Sequence, residues 1–170
     1  MMVAEPVEKD TVQVQDGRNS LFDAATFDAR LIFMQKAFHF DCPAQVYNAD
    51  ACVLSCFDYR FDLAMRKFFR RCGIEALDHI KIPGSAKALA APEAETDRDF
   101  VLGMVRTSIR LHKPQRMLIL GHNDCGAYPG AEPEVVAADV VKAAEIVRAA
   151  GLGLRVECYF CDFDGVYRVD

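Results

Sequence analysis

Two short runs, Ala51-Cys52-Val53-Leu54-Ser55 and Arg116-Met117-Leu118-Ile119-Leu120, are apolar on both of their alternating faces. A strand of that kind has to be covered on both sides. Parallel sheets sandwiched between helices meet the condition; an open sheet with one wet face does not. The intervening stretches fit such a sandwich. Phe61 to Cys72 carries Phe61, Leu63, Ala64, Phe68 and Phe69 on a helix-like face, with Gly73 as its stop. His79-Ile80-Lys81-Ile82 reads as a second strand, cut off by Pro83-Gly84. The alanine-rich stretch from Ala86 to Ala94 is ambiguous. Thr96 is the expected cap of a helix from Asp97 to His112 that turns Phe100, Val101, Met104, Val105 and Ile109 inward. The Arg116 run is broken by Gly121. Glu132 to Ala149 then repeats Val135, Val136, Val140, Ala143, Ile146 and Val147 and ends at Gly151. Leu154 to Phe163 reads as a last long strand, with Asp164-Gly165 as a hairpin turn and Val166 to Val169 returning beside it. Upstream, Phe22 to Phe40 places Phe27, Leu31, Met34 and Phe38 at helical spacing, and Pro43 marks the end of that region. Residues 1–19 lack periodicity and read as a flexible N-terminal arm. The expected fold is α/β: a mostly parallel central sheet flanked by helices, with an N-terminal helix and a C-terminal strand hairpin, in a single domain over residues 20–170.

Charge and composition exclude other classes. A hydrophobic fraction of 52% is too high for disorder, and a net charge of −5 with no Lys/Arg stripe argues against nucleic acid and anionic membranes as partners. Residues 1–10 hold Glu5, Glu8 and Asp10 and no apolar core of a signal peptide. No run approaches the roughly 18 apolar residues of a membrane span. Seven cysteines without an export signal point to the reducing cytoplasm and to free, mostly buried thiols. Cys42, Cys52 and Cys72 read as buried or helix-end thiols. Cys158 and Cys161 stand three apart on a strand, so they face opposite sides and read as packing. His39, His79 and His112 have no companion motif and read as structural or surface residues.

The remaining cysteines stand in motifs. Cys56-Phe57-Asp58-Tyr59-Arg60 follows the first apolar run, and His122-Asn123-Asp124-Cys125-Gly126 follows the other. In doubly wound sheets ligands collect beyond the C-terminal strand ends, where strand order reverses. If the two strands flank that reversal, Cys56, His122 and Cys125 meet. Two thiolates and an imidazole suit zinc, and three ligands leave the fourth corner to a water whose pKa falls to about 7, giving a hydroxide nucleophile. Asp58 has two options. It can become a fourth ligand and close the site, or pair with Arg60, two residues on, whose fork would aim its carboxylate at the hydroxide. Switching between them would give the site a shut and an open form. Gly84 and Ser85 read either as backbone donors to a bound anion or as an ordinary loop. Asp124 is assigned to the turn, and Gly121 and Gly126 to a tight backbone around the metal. A lone strand-end cysteine is usually a small buried apolar residue, and His–x–x–Cys alone discriminates weakly. The weight rests on both motifs following strands, with Asp–x–Arg attached. A phosphatase reading of Cys56 fails, because Arg60 comes too early for a loop that wraps a phosphate.

Cys–x–Asp–x–Arg followed further along by Gly–His–x–x–Cys–Gly resembles the beta-class carbonic anhydrases, and the order of elements is similar too. The resemblance implies one zinc ion per chain on Cys56, His122 and Cys125, an Asp58–Arg60 dyad, and reversible hydration of carbon dioxide to bicarbonate by a zinc-bound hydroxide. It also implies a homodimer or higher homo-oligomer, with the N-terminal helix lying on the neighbour. The family's Arg-Asn-Ala-Gly segment is replaced here by Ile82-Pro83-Gly84-Ser85-Ala86-Lys87. The alternatives are a hydrolase of carbonyl sulfide or carbon disulfide on the same site, and a zinc-containing binding or regulatory protein without turnover.

Overall fold

The computed structural model describes residues 35–42 and 47–169. The chain divides into two units, Met1–Cys42 and Pro43–Asp170. In the first, residues 35–42 form no regular secondary structure, which corrects the expected helix over Phe22 to Phe40 at its C-terminal end. Phe38 and Phe40 are exposed there, so no packed face supports a helix. The rest of that helix, the arm over 1–19 and the expected boundary at residue 20 lie outside the described residues.

The second unit is built on a five-stranded sheet. Its strands are β1 (Ala51–Ser55), β2 (Leu77–Lys81), β3 (Arg116–His122), β4 (Arg155–Cys161) and β5 (Val166–Arg168). Their order is β2-β1-β3-β4-β5. All neighbours are parallel except β5, which returns antiparallel to β4. Four helices connect them: α1 (Asp62–Arg71), α2 (Lys87–Ala90), α3 (Glu95–His112) and α4 (Pro133–Ala149). The strands are covered on both sides, as their composition requires. Cys52, Leu54, Met117, Ile119 and Cys158 pack on one face with residues of α2, α3 and α4. Ala51, Val53, Leu118, Leu120 and Cys161 pack on the other with Phe61, Met65 and Phe69. Cys158 and Cys161 therefore do face opposite sides. From β1 the chain steps outward to β2 and then crosses back to β3, so strand order reverses between β1 and β3. Among the described residues no helix is long and apolar enough to cross a membrane.

Several expectations need correction. Helix α3 starts at Glu95, and its capping residue is Ala94 rather than Thr96. The Asp97 carboxylate accepts the Ala94 N–H at 3.2 Å, so the third helical residue reaches back and caps in place of a cap side chain. Phe100 and Val135 are exposed rather than inward: each sits one position off the stripe its helix buries, which runs through Val101 in α3 and Val136 in α4. Cys42 is exposed, not buried or at a helix end. The alanine-rich stretch resolves into the single turn of α2.

The most consequential correction is Gly121, which does not break β3. The strand runs through it to His122. A Cβ there would lie 2.7 Å from Val136 Cγ1 and 2.9 Å from Val140 Cγ2. The glycine is clearance for α4, which rests on the strand one residue before His122. Gly126 has no such role, since a Cβ there would meet nothing within 4 Å.

Two outcomes follow from this packing. Gly121→Ala pushes two valines held in stiff helical rotamers, and urea unfolding should show a loss of about 1–3 kcal/mol. An unchanged midpoint would mean that α4 does not bear on the strand there. His79 is held by burial, with the nearby Lys81 charge adding, at a pKa of about 4 against 6.5 for a free imidazole. A depressed folded-state pKa gives stability that is complete above pH 6.5 and lost as pH falls toward 4. His79→Gln should flatten the stability–pH curve in that window by on the order of 2–3 kcal/mol; a curve parallel to the unaltered protein's would contradict it.

Candidate metal centre

The centre is assembled by the backbone that leaves β1 and β3. At the end of β1, Ser55 is buried; its hydroxyl donates to the Cys56 carbonyl at 3.1 Å and lies 2.7 Å from His79 Nε2. Ile82 N–H donates to the Ser55 carbonyl at 3.0 Å. With the peptide fixed on both sides, Cys56 projects into the space past the strand ends, 7% exposed. Asp58 then caps a 3-10 turn, Tyr59–Phe61, by accepting the Arg60 N–H at 3.0 Å.

At the end of β3, His122 is 4% exposed and lies against Phe61, ring centroids 4.7 Å apart. Its Nδ1 is 2.7 Å from the Asn123 carbonyl. That bond requires the proton on Nδ1 and leaves Nε2 as a bare lone pair. Nε2 is buried and has no hydrogen-bond partner. A buried orphan acceptor costs about 1–3 kcal/mol, so the position calls for a ligand.

The ligating atoms of Cys56, His122 and Cys125 all lie within 4.8 Å of one another. The two sulfurs are 4.0 Å apart. Two zinc–sulfur bonds in a tetrahedron would set sulfurs about 3.8 Å apart, and the S₂N donor set suits zinc rather than an oxygen-seeking ion. The three residues therefore fit a zinc-like ion. Burial pushes the Cys56 thiol up, but the His122 ring in its doubly protonated form and the backbone N–H groups of Asp58 and Gly84 outweigh it and bring the pKa down to about 7. Burial and the neighbouring Cys56 hold Cys125 above the usual thiol value, although backbone N–H groups of Ala127 and Gly84 oppose this.

Gly84 N–H faces both sulfurs. The residue has φ +67°, and a Cβ on it would lie 2.9 Å from the Ala127 Cβ. Only glycine brings this backbone so close to the sulfurs without strain. Ser85 is wholly buried; its N–H donates to Ile82 O at 3.1 Å and its hydroxyl to Leu54 O at 3.3 Å. Ser85 thus has no donor left for a bound anion.

Asp58 lies outside the set of converging ligands. Arg60 grips its carboxylate: Nε donates at 3.1 and 3.0 Å to the two oxygens, and a terminal nitrogen donates at 2.6 Å. These hydrogen bonds, first among the influences on it, hold the Asp58 carboxyl below the usual carboxylate range. Beside this pair an open cleft of about 740 Å³ is bounded by Phe57, Tyr59, Pro83, Gly126 and Ala127.

The sequence reading missed what Asp124 does. Its φ of +51° fits the turn role expected of it. Its carboxylate and carbonyl also accept from Arg60, at 2.8 and 3.0 Å, across 64 residues of sequence. The Asp-between-ligands spacing signals the turn; nothing local signals the distant partner.

No curated protein matches the chain. Among solved structures, it is similar to the carbonic anhydrase of Streptococcus mutans, at 14% identity over 78% of this chain and 89% of that one, with a TM-score of 0.55. It is similar to beta-carbonic anhydrase isoform I of the protozoan Trichomonas vaginalis, at 13% identity over 77% and 87%, with a TM-score of 0.54. A tetrameric beta-carbonic anhydrase of the ascomycete Sordaria macrospora aligns at 12% identity over 72% and 81%, with a TM-score of 0.51. At these identities the likeness is one of fold. The model of the family described as "Putative carbonic anhydrase" matches residues 46–169. That span holds the whole sheet and all three converging side chains, and the chain belongs to this carbonic anhydrase family.

Proposed function

We propose that the protein is a zinc carbonic anhydrase that hydrates carbon dioxide reversibly to bicarbonate. One observation carries the reading. The orphan Nε2 of His122 converges with two sulfurs, while Asp58 is turned to Arg60 and would leave the fourth position of a bound ion free. Cys56, His122 and Cys125 would hold the ion. When bound, zinc supplies the Lewis acidity that makes a water at its open position acidic near neutral pH.

The chain's own groups do the rest. Arg60 keeps Asp58 ionised across the neutral range, so the carboxylate only accepts hydrogen bonds. It can take one from a water in the cleft and aim that water's lone pair away from itself. Phe57, Pro83 and Ala127 line the cleft with apolar surface, which admits a small neutral linear molecule without competing for the water. The thiolates of Cys56 and Cys125 would balance the double charge of the ion they hold, which would weaken the centre's pull on an anionic product. The reading includes a homo-oligomer in a reducing compartment. The exposed Phe57, Tyr59 and Phe163 supply apolar surface for contact between copies, and the Sordaria macrospora relatives are tetrameric.

Stopped-flow hydration of carbon dioxide by metal-quantified protein should show turnover that rises from pH 7 to pH 9. Stoichiometric zinc with no hydration at either pH would overturn the reading. Asp58→Asn should keep its zinc and lose about 100-fold in kcat, the scale of a misoriented reacting group; a loss below threefold would remove Asp58 from the mechanism. Cys125→Ser should emerge from dialysis with less than about a tenth of the zinc held by the unaltered protein, since one sulfur and one nitrogen do not close a tetrahedron. Retention of full zinc would place the ion elsewhere.

A further inference from the structure

Arg60 ties the two metal loops together. Toward its own loop, Nε and one terminal nitrogen grip the Asp58 carboxylate. Toward the other loop, one terminal nitrogen donates to Asp124 Oδ2 at 2.8 Å and the other to the Asp124 carbonyl at 3.0 Å. Four of the five guanidinium N–H groups are thereby used. The guanidinium carbon lies 5.8 Å from the Phe61 ring centroid and 5.7 Å from that of Phe163. Even so, the side chain is 37% exposed, and among the described residues Asp58, the residue it is meant to orient, would be its one carboxylate partner without Asp124.

Asp124 is itself well anchored. Its N–H donates to Asn123 Oδ1 at 2.7 Å, and the Asn123 amide donates to Asp162 Oδ1 at 2.9 Å, in the turn after β4. The restraint runs from the sheet's end through Asn123 and Asp124 to Arg60.

We propose that Asp124 is a positioning residue of the centre: from the loop between His122 and Cys125 it fixes the guanidinium of Arg60, and through it the plane of the Asp58 carboxylate. The proposal rests on the carbonic anhydrase reading for its catalytic consequence, while its geometric part stands alone. Asp124 stands at the wall of the cleft and offers no atom to the converging ligand set; its carboxylate is turned to Arg60.

The test separates this role from the turn. Asp124→Gly keeps the left-handed backbone without cost and removes the carboxylate. Asp124→Asn tolerates the same backbone and keeps a side-chain acceptor. Asp124→Gly should lower kcat about tenfold with KM changed less than twofold, and Asp124→Asn should recover most of that loss. In an Arg60→Lys background, Asp124→Gly should cost less than a further twofold, because the held group is already gone; full multiplication of the two losses would overturn the proposal. A second readout does not depend on turnover. The Arg60 Nε–H should give a slowly exchanging ¹⁵N–¹H signal, assigned by its loss in Arg60→Lys. That signal should persist in Asp124→Asn and broaden or vanish in Asp124→Gly. If the unaltered zinc-bound protein proves inactive, the functional reading fails and this signal alone decides. A signal missing from the unaltered protein, or unchanged in Asp124→Gly, would overturn the positioning role.

Discussion

The parallel pairing of β1 with β3 sets the position of every group at the centre. The two strands run side by side in the middle of the sheet, Cys52 opposite Met117 and Leu54 opposite Ile119. Both are apolar on both faces, so only a place inside two covered layers satisfies them. Their neighbours leave on opposite sides, β2 beyond β1 and β4 beyond β3, and the crossovers pull away from the gap between them. Two loops then emerge at the same end of the sheet, and their ligating atoms converge there. A register slip of one residue would turn the side chains of either strand to the opposite face. It would send Cys56 or His122 into a packed layer.

Close approach at that end depends on two glycines. Gly121 lets α4 lie against β3 beside His122, and Gly84 lets a backbone N–H reach the sulfurs. The polar cost is handled locally. The Asn123 carbonyl fixes the His122 tautomer, and Arg60 carries the charge that Asp58 and Asp124 balance. The buried nitrogen left without a partner is the one aimed at the two sulfurs. A polar atom that expensive to bury is kept where a ligand repays it.

Much of this is legible in the sequence where a signal is local. The apolar runs announce β1 and β3, the periodicity announces α3 and α4 and the presence of α1, whose buried face runs through Met65 rather than the expected Leu63 and Ala64, and the spacing of Cys56, His122 and Cys125 announces their meeting once the strands are adjacent. What fails to read is non-local. Gly121 looks like a strand breaker because glycine usually is one, whereas its use here is set by Val136 and Val140 of a later helix. Phe100 shares the helical period with Val101, and only the surface under α3 decides which of the two faces inward. The cap of α3 comes from Asp97 inside the helix rather than from a side chain before it. The bond from Arg60 to Asp124 spans 64 residues and leaves no mark in either motif.

The central claim is that two loops hold one divalent ion through two sulfurs and one ring nitrogen. X-ray absorption at the metal edge of the purified, metal-quantified protein tests it most directly. The account predicts a first shell of two sulfurs at about 2.3 Å and one nitrogen at about 2.0 Å, with a single further light scatterer in the remaining position. A shell of oxygen and nitrogen alone, or one with four sulfurs, would contradict it.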